Sequence, residues 1–162
     1  MVVMDFHAGR GWHDPRVIPY QPFSLDPATC VLHYGQAVFD GLKAFRGRDG
    51  VIRLFRARDH VARLNRSGER LCIPPLDPAM VLQSFHALIE VDQRWVPSRP
   101  GTSLYLRPTV IANEVFLGVH PSSSYIYFLI ASPVGAYYAE GMNPVRILVT
   151  DKYVRAVAGG TG

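Results

Sequence analysis

The sequence predicts an α+β domain in which two helices cover one face of a mainly antiparallel sheet. Two observations carry this. A hairpin signal near residue 49 is followed by two consecutive helix-periodic segments, not by alternating strand and helix units, and the long runs after them are β-branched and aromatic. At 162 residues a single domain with a proper core is expected, since a chain of this size buries roughly 70% of its surface on folding.

The elements follow in chain order. Val2 to Phe6 is a short apolar run closed by Gly9 and Gly11. Gly11 to Pro27, rich in Pro, Gly and His, reads as an irregular connection with one short strand at Arg16 to Tyr20. Val31 to Tyr34 and Ala37 to Phe45 are apolar stretches, and Gly47-Arg48-Asp49-Gly50 then leads into Val51 to Phe55 as a hairpin. From Ala57 to Leu71 the period becomes helical, with Val61, Leu64 and Leu71 on one stripe and arginines on the other, ended by Pro74-Pro75. Asp77 caps a second helix ahead of Pro78, and Met80, Val81, Phe85, Leu88, Ile89 and Trp95 form its expected buried face. Gly101 ends the connection. Thr102 to Asn113, Tyr125 to Pro133 and Val145 to Thr150 read as strands, with loops at Gly118 to Ser124 and Gly135 to Asn143.

Composition narrows the function classes. Hydrophobic residues make up 48% and charged residues 19%, the balance of a globular chain. The formal charge is +4, but 15 of the 17 basic residues are arginines spread among acids, so no nucleic-acid platform is expected. No apolar stretch approaches the roughly 18 residues of a membrane span, and no secretory leader is visible, so a cytoplasmic protein is expected. Cys30 and Cys72 have no metal-ligand spacing and read as small buried hydrophobes, with neither a disulfide nor a metal site expected.

A set of ordered segments then resembles one family. Gly11-Trp12-His13-Asp14, Leu32 to Ala44 (reading LHYGQAVFDGLKA), Arg53-Leu54-Phe55-Arg56, Leu64-Asn65-Arg66-Ser67, Gly101 to Pro108 (GTSLYLRP) and Ala131 to Gly135 (ASPVG) are similar to the branched-chain aminotransferases. These are fold-type IV pyridoxal-phosphate enzymes. The resemblance implies the amino-terminal domain of the D-amino-acid aminotransferase-like fold over residues 1–134, with 135–162 as interdomain linker and the start of a large cofactor-binding domain. It implies pyridoxal 5'-phosphate as cofactor, amino and keto acids as substrates, and a homodimer.

Residue by residue, the resemblance makes Arg63 the arginine that binds the cofactor phosphate; on the residues alone it reads as a solvated helix charge. Tyr34 and Phe39 match walls of the substrate side-chain pocket, and Tyr105 and Arg107 match a strand facing the substrate. Without the resemblance the three aromatics read as sheet core. A hydroxyl and a guanidinium two residues apart on one strand point the same way and can orient an α-carboxylate. Val119 matches a loop reaching toward the neighbouring subunit's pocket, and Tyr137 the interdomain loop. Asp40 stands where glutamate is usual, a departure expected to matter only for local packing.

The family's Schiff-base lysine follows a Gly-Gly-Thr-Gly string, here Gly159 to Gly162, so no catalytic residue is assigned within the 162 residues. Of the two lysines, Lys43 matches a strand lysine that does not hold the cofactor, and Lys152 does not match the aldimine position. The expectation is a branched-chain transaminase in the full-length parent and an inactive polypeptide over these residues alone. Two alternatives stand beside it. One is another fold-type IV enzyme, a D-amino-acid or amine transaminase or an aminodeoxychorismate lyase; the other is a non-catalytic small-ligand-binding module.

Overall fold

A computed structural model describes residues 1–135 and 143–160. Its framework is one antiparallel sheet built from β1 (Val2–His7), β2 (Gly11–Val17), β3 (Ala37–Phe39), β4 (Leu42–Arg46), β5 (Ile52–Leu54), β6 (Ser103–Ala112) and β7 (Ser124–Val134). The spatial order is β2-β1-β7-β6-β4-β5, with β3 beside β4 on the same edge of β6. Helices α2 (Ala57–Arg70) and α3 (Pro78–Asp92) cover one face, and a short helix α1 (Cys30–Tyr34) precedes β3. The α+β expectation holds, and the hairpin, the first long helix, the start of the second and the two long strands lie within one or two residues of their expected bounds, while α3 ends three residues short of Trp95.

Strand alternation sorts the side chains into two sets. Leu104, Leu106, Val110 and Ala112 of β6, with Tyr125, Tyr127 and Leu129 of β7, are buried under the helices. Val61 and Leu64 of α2 meet them, as do Val81, Phe85 and Leu88 of α3. Ser84 fixes α3 to the sheet, its hydroxyl 2.8 Å from that of Tyr127. The other face carries a smaller cluster, where Met1, Val3 and Ile126 pack with Ile18, Phe23 and Phe128. The rest of that face, around β3, β4 and the first half of β6, stays open.

Side chains also tie the connections down. Asp77 caps α3 by accepting from the Ala79 N–H at 2.9 Å. Asn65 donates to the Leu76 carbonyl at 2.8 Å and accepts from its N–H at 3.0 Å, setting the path from α2 to α3. Arg46 reaches the carbonyls of Gln93 and Val96 and holds the end of α3 to the β4 edge.

Several expectations are corrected. The early strand is Gly11–Val17 rather than Arg16 to Tyr20, because a tight turn, Arg10 N–H to His7 carbonyl at 2.8 Å, folds it directly onto β1. A register shift between Val3 and Asp5 accommodates Asp14, at φ 54°, and Pro15 on this edge strand. Val31 to Tyr34 lie in a helix that Gly35 ends at φ 62°. Trp95 is 55% exposed, because it falls beyond α3 in a 3-10 turn that leaves the apolar stripe. Cys30 is buried but Cys72 is exposed, standing at φ 57° where the chain turns away after α2. Val145 to Thr150 form no strand among the described residues and are exposed; a strand needs a neighbouring edge, and no described element supplies one.

Leu106 lies on β6, paired with β4 on one side and β7 on the other, with no exposed surface. Leu106→Ala should cost about 2–5 kcal/mol, read as a lowered urea midpoint with an unchanged slope. A loss below about 1 kcal/mol would show that the sheet and helices do not share this core.

Candidate functional site

The site begins with a hydrogen bond that cannot form. Strands β3 and β4 lie on β6 in a single register, Phe39 opposite Thr109 and Leu42 opposite Leu106. Between them Asp40 falls opposite Pro108. Asp40 donates its N–H to the Pro108 carbonyl at 3.0 Å, but proline has no N–H to return. The ladder breaks there, and Asp40-Gly41 form a gap between two strands that are otherwise continuous.

On the helix side of the gap lies the Asp40 carboxylate, its side chain 3% exposed. It accepts from Arg63 Nε at 2.5 Å and Arg63 Nη2 at 2.7 Å, from the Gly41 N–H at 2.6 Å, and lies 2.8 Å from His60 Nδ1. His60 and Arg63 are one helical turn apart on α2, which brings both over the same strand. Burial pushes the Asp40 carboxyl up, yet the hydrogen bonds from Arg63, His60 and Gly41, joined by the guanidinium charge, outweigh it and hold the group below the ordinary carboxylate range. The same hydrogen bond and charge raise Arg63, with a smaller contribution from Tyr105. Asp40 is thus an ionic anchor, which corrects the expectation that it matters only for local packing.

On the open side of the sheet Gly41 makes room for Tyr105. A β-carbon on Gly41 would lie 1.9 Å from the Tyr105 hydroxyl, so only glycine lets the ring lie over the gap. Two residues along β6, the Arg107 guanidinium carbon sits 4.2 Å from the Phe39 ring centre and 5.2 Å from that of Tyr105. Arg107 Nε is buried with no hydrogen-bond partner. An orphaned donor on a permanently charged group is costly unless an acceptor arrives from outside the described residues. Lys43, paired with Tyr105 in register, is exposed on this strand.

Three of the expected substrate-side residues, Phe39, Tyr105 and Arg107, are therefore drawn together, and Arg63 approaches the same gap from the helix side. Tyr34 stands apart at the end of α1, its ring 6.1 Å from His33 and half-exposed. Val119 is fully out in the connection between β6 and β7. Tyr137 lies outside the described residues. Residues that sequence reasoning missed are Gly41, His60 and Pro108; the Arg-Pro pair on a central strand was the available signal, since proline there implies a break. Two recesses, of about 580 and 590 Å³, lie elsewhere, one beside Tyr20, Val91 and Trp95 and the other between β5, the start of α2 and the middle of α3. Among the described residues no group of acidic, histidine and cysteine side chains could hold a metal ion, and no helix is long and apolar enough to cross a membrane.

No protein-family model matches the chain. Curated relatives do, along its whole length. It is 54% identical over 162 residues to branched-chain-amino-acid aminotransferase 2 of Bacillus subtilis and 55% over 163 to branched-chain-amino-acid transaminase 1 of the same organism. It is 53% identical over 163 residues to the branched-chain-amino-acid aminotransferase of Mycobacterium tuberculosis. Each alignment takes in 100% of this chain and 44–46% of the relative, so the chain spans less than half the length of these relatives. Among solved structures, the branched-chain amino acid aminotransferase of Escherichia coli matches with a TM-score of 0.62 at 24% identity, over 86% of this chain and 43% of that one. That of Thermoproteus uzoniensis, described with norvaline, matches at 0.61 and 20% over the same shares. A further one, described with pyridoxamine 5'-phosphate, matches at 0.60 and 23%, over 86% of this chain and 42% of that one. These structural likenesses show the fold, an α+β arrangement shared with part of those longer chains.

Two predictions test the gap. Because Asp40 titrates lower in the folded state than in the unfolded one, its ionised form stabilises the fold above about pH 4 and that contribution fades as pH falls below it. Asp40→Asn should therefore lose most stability at neutral pH, and its denaturation midpoint should converge on that of the wild type as pH falls further below about 4. A constant offset across pH would deny the ionic role. Gly41→Ala should cost on the order of 1–3 kcal/mol, and adding Tyr105→Ala should recover much of it; additive losses would show that the two do not touch.

Proposed function

We propose that this chain, a relative along its whole length of the branched-chain aminotransferases, supplies the substrate-facing wall and one phosphate contact of a pyridoxal-phosphate-dependent transaminase acting on leucine, isoleucine and valine. The observation that carries the reading is Arg107, whose buried Nε lacks a partner while its guanidinium is held between Phe39 and Tyr105. A planar cation on an aromatic wall suits an α-carboxylate attached to an apolar side chain. We read residues 1–134 as the small domain and 135–162 as linker and the start of a larger one, the working unit being a homodimer.

The residues present fit the cofactor. Arg63 is fixed along one edge yet 52% exposed, which leaves a forked cation facing outward for a phosphate. When bound, pyridoxal phosphate supplies the electron sink for charge at the substrate α-carbon. This chain's own residues bind and orient. Arg107 holds the carboxylate, Tyr105 borders it, and Phe39 lines the side-chain pocket, with Val119 reaching it from the neighbouring subunit's loop. Lys43 stays outside the chemistry.

The full native chain with pyridoxal phosphate, leucine and 2-oxoglutarate should form glutamate. A donor profile dominated by D-alanine or aromatic amines would move the chain to another fold-type IV activity. Arg107→Ala should raise KM for the amino acid by about tenfold to a hundredfold, the size of one charge-assisted hydrogen bond; an unchanged KM would remove Arg107 from the carboxylate. A polypeptide limited to residues 1–162 should give no glutamate above background.

A further inference from the structure

The ionic cluster behind the gap is more elaborate than Arg63 alone requires. A guanidinium at mid-helix with half its surface in water needs no buried acid for solubility, and a carboxylate 3% exposed is costly unless fully paired. Four groups converge on this one: both nitrogens of one Arg63 edge, the Gly41 N–H and His60. The contact is bidentate and side-on through Nε and Nη2, so the fork is fixed in plane and orientation and Nη1 remains for another acceptor.

From this we infer that Asp40 is a positioning residue, which sets the plane of the Arg63 guanidinium so that its free side meets the phosphate of the cofactor. The inference rests on the reading of Arg63 as the phosphate arginine and adds what holds it there. A long arginine chain loses rotamer entropy when it is ordered; an anchor that has already removed it lets phosphate contacts form without ordering the arm. His60 limits the carboxylate from the same helix, so the strand gap and α2 act together on one cation.

The test separates phosphate binding from binding of the ring by titrating the apo form of the full native chain with pyridoxal phosphate and with pyridoxal. The ratio of the two affinities isolates the phosphate. Arg63→Ala should abolish most of the preference for the phosphorylated form; if it does not, Arg63 is not the phosphate arginine and both readings fall. With that effect present, Asp40→Asn should reduce the preference by about tenfold, the size of one charge-assisted hydrogen bond, while pyridoxal affinity changes less than about twofold. Equal losses for both ligands would mean that Asp40 only supports the fold, and the inference would fail. Arg63→Lys, a change at a half-exposed helix position, keeps the charge but cannot be held by a fork. It should lose at least about threefold in preference, and full retention would overturn the inference even if Asp40→Asn did not fold.

Discussion

A carboxylate with 3% of its side chain exposed stays ionised only if its surroundings replace water completely. Asp40 meets that demand by gathering partners from three places: the strand it sits on, and two successive turns of α2. The demand runs in both directions. Because the acid needs Arg63 and His60, α2 must lie across the β3–β4 junction; because α2 lies there, Val61 and Leu64 join the buried core between helices and sheet. The position of the helix layer and the geometry of the site thus follow from one buried charge.

The break that admits this charge arises from backbone chemistry rather than from a loop. Pro108 on a central strand would ordinarily argue against a sheet position. Here the lost donor falls opposite Asp40 and is tolerated because the strand register resumes unchanged at Leu42. Each residue of the gap serves a different face: Asp40 turns to the helices, and Gly41 leaves room on the open side for Tyr105. A single interrupted strand therefore connects the cation on the helix side with the aromatic wall on the other.

Most of the fold was legible because it rests on local signals. Asp49-Gly50 between two apolar runs, Asp77 before Pro78, and the stripe through Val61 and Leu64 each act over a few residues, and each element stands near its expected place. What was not legible depends on partners far along the chain. Val145 to Thr150 have strand composition but no described edge beside them, and Trp95 has core composition but falls past the end of the apolar stripe. The site divides in the same way. Phe39, Tyr105 and Arg107 were visible through the family resemblance and by strand alternation, whereas His60 and Gly41 become meaningful only when α2 is laid over the gap. Asp40 was underrated for that reason: in sequence it is one acid on a strand, twenty-three residues from the arginine it holds.

Gln36 shows the same economy at the opposite end of β3. Its amide nitrogen donates to the Leu71 carbonyl at 2.8 Å and to the Tyr125 hydroxyl at 3.0 Å, and its oxygen accepts from the Ser122 N–H. One side chain thereby closes the end of α2, the entry to β7 and the long connection before it. Proteins open in cooperative units of contiguous structure, and Gln36 ties these segments into one such unit. Slow breathing in this corner would travel from the helix end to the loop as one cooperative opening, leaving the Asp40 gap at the far end of the strand undisturbed.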